Sequence, residues 1–133
     1  MTQEQLDKLA RAINERRGYS VEPSGAFHQL LLNGKRIFAH TGNTATEAFA
    51  RAPRVCTDRE AAMDALEGWA DTQTSSRNRY EITRSGKEYF VELWPDKMSE
   101  KDLVSCDESL PLAISLALAS AMGIDVKAAT DKE

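Results

Sequence analysis

A short segment occurs twice in this 133-residue chain, about sixty residues apart. Tyr19-Ser20-Val21-Glu22-Pro23-Ser24-Gly25 is answered by Tyr80-Glu81-Ile82-Thr83-Arg84-Ser85-Gly86. Both begin on an aromatic residue, alternate apolar with polar positions and end in a Ser-Gly turn. Each follows an amphipathic helical stretch and precedes more strand and a further helical stretch. The chain therefore reads as one unit written twice, with pseudo-repeats at 2–52 and 56–123 inside a single domain 1–133. Residues 124–133 read as a disordered tail.

Local signals fill in the unit. Leu6, Leu9, Ala10 and Ile13 recur at helical spacing over residues 3–17, behind a capping box made by Thr2 and Gln5, and Gly18 is placed to end that helix. Asn33-Gly34 between the apolar runs 28–32 and 35–40 predicts a two-residue type I′ hairpin, because both central positions then need positive φ. That turn would set Leu30 opposite Ile37 and Gln29 opposite Phe38, leaving apolar residues on both faces and calling for cover on each. A second capping box, Thr44 with Glu47, opens a short helix to about residue 51, and Pro53 stops it.

The second copy starts at a third capping box, Thr57 with Glu60, and Ala62, Met63, Leu66, Trp69 and Ala70 line the inner face of its helix. A polar loop at 71–78 leads into a hairpin at 79–84 and 87–94, and a charged loop at 95–101 into a third strand at 102–106. The last helix, 110–122, has Ser109 as cap and Pro111 in its first turn. It is apolar nearly all round and should be the most buried. Leu66, Trp69, Leu112 and Leu116 are the expected core.

Charge is uneven. Residues 1–54 hold eight Lys and Arg against five Asp and Glu, whereas residues 55–133 hold nine against sixteen. With a pI near 5.3 and no aromatic-basic motif, nucleic acid is not the expected partner. No basic-then-apolar leader and no apolar run of membrane-spanning length are found, so the expected setting is cytoplasmic, away from membranes. Cys56 and Cys106 are far apart and outside any CxxC pattern, which reads as two reduced thiols.

The order Cys56-Thr57-Asp58, a helix ending in Trp69, a tyrosine-bearing hairpin and then Leu112-Ala113-Ile114-Ser115-Leu116-Ala117 resembles the phage ABA sandwich domain family, over roughly residues 54–123. Ser115 stands where that family commonly has cysteine, and Cys56 where it commonly has serine. The resemblance implies a bacteriophage or prophage protein with a sheet between helix layers. It implies no established activity and no functional residues. The fold expected from repeat and resemblance together is α+β: a three-layer α/β/α sandwich with a mostly antiparallel sheet.

No residue pattern points to catalysis. His28 and His40 should lie on opposite faces of their hairpin and cannot share a metal. Ser85-Gly86-Lys87 lacks the first glycine and spacing of a phosphate loop. The carboxylates Asp96, Glu100, Asp102, Asp107 and Glu108 lack a calcium-loop spacing. No nucleophile elbow marks a hydrolase. No catalytic residue, metal or cofactor is therefore assigned. Binding is the expected function, with another protein of the host or phage as partner, in a setting such as host takeover or defence inhibition. Phe90 and Trp94 are the candidate contact residues. They share a strand face with Glu81 and Glu92, and a second helix layer would bury that face as core. The alternative is a nucleotide or small-molecule binder using the cleft between the two halves.

Overall fold

Helix α1 (Gln3–Arg16) begins where the sequence marks it: Thr2 Oγ1 accepts from the Gln5 amide, and Gln5 Oε1 accepts from that of Thr2. The computed structural model describes residues 1–73, 80–94 and 103–131. After α1 come β1 (Tyr19–Ser24), β2 (Phe27–Leu32), β3 (Lys35–Gly42) and α2 (Ala45–Phe49). The order then repeats as α3 (Arg59–Asp71), β4 (Tyr80–Ser85), β5 (Glu88–Leu93), β6 (Leu103–Asp107) and α4 (Leu110–Ala121). A further helix, α5 (Val126–Asp131), packs on α1 where a frayed tail was expected, with Thr130 Oγ1 donating to the Val126 carbonyl at 2.8 Å. The polar loop expected at 71–78 and the charged loop at 95–101 lie mostly or wholly outside the described residues, as do Asp96, Glu100 and Asp102.

The fold is α+β, with two antiparallel sheets and helices. The repeat holds to single positions. Tyr19 opens β1 opposite Leu32, and Tyr80 opens β4 opposite Leu93. Ser24 pairs with Phe27 around Gly25 at φ 63, and Ser85 pairs with Glu88 around Gly86 at φ 62. Gly25-Ala26 and Gly86-Lys87 are thus equivalent two-residue turns, each entered from a strand-ending serine, which accounts for Ser85-Gly86-Lys87 without a phosphate. The six strands form two three-stranded meanders, β1-β2-β3 and β4-β5-β6.

Asn33 (φ 53) and Gly34 (φ 82) take the positive angles a type I′ turn needs. The register set there does not persist. Leu31 pairs with Arg36, but Gln29 pairs with Thr41 instead of Phe38, so three extra residues bulge from β3. The Gln29 side chain satisfies carbonyls that the bulge strands, donating to Ile37 O at 2.7 Å and His40 O at 3.2 Å. His28 consequently stands opposite Gly42, not near Ala39.

Two caps differ from expectation. At α2, Thr44 accepts from the Glu47 amide, but Glu47 reaches back one residue further, to the amide of Asn43. At α3 the cap is Asp58 rather than Thr57, its carboxylate accepting from the amides of Glu60 and Ala61. One carboxylate oxygen serves two orphan amides at once, and its charge favours the helix N-terminus.

The main core joins α1, α3, α4 and β5. Leu9, Ile13, Leu66, Val91, Leu93, Ile114 and Leu118 are all fully buried in it. Leu66 and Trp69 are core as expected, whereas Leu112 and Leu116 are only partly buried; α4 instead turns Ala113, Ile114, Ala117 and Leu118 inward. A smaller core of Leu30, Phe49 and Ala52 lies under the first sheet. The linker between the repeats is held from both sides. Buried Asn14 donates from Nδ2 to Pro53 O at 2.8 Å, and buried Ser115 donates to Val55 O at 2.8 Å. These buried side chains add partners to linker carbonyls in the interior, Pro53 O accepting from the Val55 amide as well, and tie the linker to both α1 and α4.

Cys56 sits on that linker, almost fully buried beside Ser115. Burial pushes its thiol from 9.0 up to about 11, offset in part by the Ser115 hydrogen bond. The folded state therefore keeps this proton longer than the unfolded chain. The stability it carries is complete below pH 9.0 and is lost as pH rises towards about 11. Urea titrations of Cys56→Ala between these limits should show a shallower alkaline decline than the parent. Equal slopes would remove Cys56 as a source of it.

Candidate functional site

Strand pairing decides what each side of the second sheet presents. Opposed residues share a face, so Tyr80, Leu93, Ile82, Val91 and Ser105 point one way. This is the face on which α4 packs, and the Ser105 hydroxyl donates to the carbonyl of Ala113 on that helix. Glu81, Glu92, Thr83, Phe90, Val104 and Cys106 point the other way. Among the described residues no helix besides α4 packs substantially on this sheet, so the second helix layer expected over Phe90 and Trp94 is not found there.

The cause lies in the helices. The apolar stripes of α1 and α3 are used against α4 and α5, in helix–helix packing, and none remains to cover the far face. Phe90 is half-buried beneath cross-strand neighbours Thr83 and Cys106. Trp94, the next position in the alternation after Phe90 and Glu92, is also half-buried, and neither aromatic belongs to a core cluster. Val104, opposite Glu92, is 60% exposed. The surface thus mixes two large aromatics and an exposed valine with carboxylates at Glu81 and Glu92.

Cys106 is exposed on the same face. Lost hydration first, then the adjoining Glu88 and the charge of Asp107, hold its thiol above the ordinary range. With Cys56 raised as well, both thiols stay protonated at neutral pH, and protonated thiols are poor nucleophiles. His28 and His40 do not come together with a third ligand; among the described residues no group of three His, Cys, Asp or Glu converges. No helix among them is long and apolar enough to cross a membrane.

The cleft between the halves exists. A cavity of about 460 Å³ opens where the first sheet meets the linker and the start of α3. Arg17, Arg51 and Arg54 line it with His40. These residues were not singled out as a site by their spacing. The signal that could have found them is the uneven charge: the basic excess of the first half and the acidic excess of the second meet in this cavity, the latter as Asp58, Glu60 and Asp64. No family model matches the chain, and neither the curated proteins nor the solved structures give a match.

Proposed function

We propose that this chain is a non-enzymatic binding protein of phage or prophage origin, and that its contact surface is the open face of the second sheet around Phe90 and Trp94. The partner is a protein of the host or phage with an apolar centre and a basic rim to meet Glu81 and Glu92. The observation that carries this is Val104, 60% exposed beside two half-buried aromatics on a face that no helix of the described residues covers. Aromatic anchors within a charged rim are the composition that protein interfaces favour. The phage origin rests on the family resemblance. The two departures from that family's pattern, Cys56 and Ser115, hydrogen-bond to each other, so they read as one reciprocal exchange across a single contact.

The test is Phe90→Ser with Trp94→Ser. Neither side chain is in a core cluster, so the melting temperature should stay within a few degrees of the parent. Affinity for a partner recovered with the parent from bacterial lysate should fall by about thirtyfold or more, the effect of truncating an interface hot spot by about 2 kcal/mol. A collapsed variant would place these residues in the core. A folded variant that retains the partner with unchanged affinity would move the contact surface elsewhere.

A further inference from the structure

The cavity at the junction of the repeats is built for a ligand of mixed chemistry. Its basic residues come from two separate places: Arg17 at the C-cap of α1, and Arg51 and Arg54 on the linker after α2. Its acidic residues come from Asp58 and the first turns of α3. Tyr19, Leu30, Ile37 and Pro53 add an apolar lining. Among the described residues no ion pair joins the arginines to these carboxylates; Asp58 is engaged as the cap of α3, which leaves Glu60 and Asp64 as the acidic groups facing a third party.

Arg17 is held in place. Its Nη1 donates to Asn14 Oδ1 at 3.1 Å, and its guanidinium lies 5.6 Å from the centre of the Tyr19 ring. Asn14 is 2% exposed and is itself fixed by its bond to Pro53 O. A guanidinium positioned by a buried amide and an aromatic face is preorganised, so less rotamer entropy is lost on binding.

We infer that this cavity binds a nucleoside monophosphate. Guanidinium groups match a phosphate with paired hydrogen bonds. The apolar lining with Tyr19 offers a surface for a flat base. Sugar hydroxyls and an exocyclic amine are donors, and the carboxylates of Glu60 and Asp64 are acceptors. The volume of about 460 Å³ falls within the range of small-molecule sites. The same carboxylates select against more highly charged ligands. A triphosphate or a nucleic-acid backbone would bring further negative charge against three acidic side chains, and inorganic phosphate alone would leave the apolar lining and the acceptors unused. This site is separate from the open sheet face and does not depend on it.

Calorimetric titration of the full chain with adenosine, cytidine, guanosine and uridine 5′-monophosphates tests the inference. At least one should bind with a Kd below about 1 mM. The matching nucleoside, inorganic phosphate and the triphosphate should each bind at least about tenfold more weakly. Arg51→Ala with Arg54→Ala removes two exposed side chains and should weaken monophosphate binding about tenfold or more without moving the melting temperature. Glu60→Gln, also exposed, should weaken it through the sugar or base while leaving phosphate binding unchanged. Phe90→Ser with Trp94→Ser should leave it unaltered. Failure of all four monophosphates, phosphate binding as tightly as the monophosphate, or full affinity in the double arginine variant would each overturn the site.

Discussion

Trp69→Ala should lower the unfolding free energy by about 3–5 kcal/mol, the range for removing a large aromatic side chain from a core. Trp69 is only 8% exposed, on the α3 face shared with Ala62, Ala65 and Leu66. Two of those neighbours are alanines, and α4, which packs on α3, also buries Ala113, Ala117 and Ala119. Close helix approach of this kind leaves little slack for the backbone to fill a void, so the cavity term adds to the lost transfer free energy. At roughly 3–4 °C per kcal/mol for a domain of this size, the melting temperature should fall by about 10–20 °C. Trp94 is the internal control: the same truncation on the open face should move it by a few degrees at most. A thermal melt by circular dichroism distinguishes the two tryptophans, and equal shifts would contradict the assignment of one to the core and the other to the surface.

Local chemistry was readable wherever a few neighbouring residues decide the outcome. The Thr2 and Ser109 caps and the Asn33-Gly34 turn depend on side chains within three positions of the backbone they satisfy. The duplication was readable because Tyr19 and Tyr80 hold corresponding registers. What failed were inferences carried outward from a correct local signal. The turn at Asn33-Gly34 fixes the first two pairs of its hairpin, but the bulge beyond depends on Gln29 reaching across to the carbonyls of Ile37 and His40. Helix α4 is apolar nearly all round, so its pattern names no inner face; tertiary packing selects the one carrying Ala113, Ile114, Ala117 and Leu118. Helix α5 is too short for periodicity to reveal and is supported by docking on α1. The strand alternation placed Phe90 and Trp94 on one face, but only the tally of helices free to cover that face could decide its exposure. The cleft is similar: Arg17, Arg51 and Asp64 are ordinary surface charges until topology brings them to one cavity.

Gly42→Ala should undock α2 and open the small core beneath the first sheet. Glycine is required here by crowding, not by its dihedral angles. A Cβ at this position would come within 2.7 Å of the Glu47 carbonyl carbon and closer still to the amide nitrogen of Ala48. Those are backbone atoms of α2, so no side-chain rotation can relieve the contact. Either the end of β3 or the helix must move. The helix is the weaker element: it is five residues long, below the length at which a helix persists without docking. Its docking rests on Phe49 and Ala48, with Arg11 of α1 lying 4.6 Å from the Phe49 ring centre. Overpacking of this kind costs about 2–3 kcal/mol. The damage should stay local, because the buried residues of this core are Leu30, Phe49 and Ala52, while α3 and α4 belong to the larger cluster. Amide hydrogen exchange should therefore show lost protection at Leu30 and Phe49 with protection retained at Leu66 and Leu118. Leu30 and Arg51 also line the cleft, so monophosphate affinity should fall together with that protection. Native protection at Leu30 and Phe49 in the variant would mean that β3 yields instead, and that the close approach of Gly42 to α2 is not what holds the first sheet and its helix together.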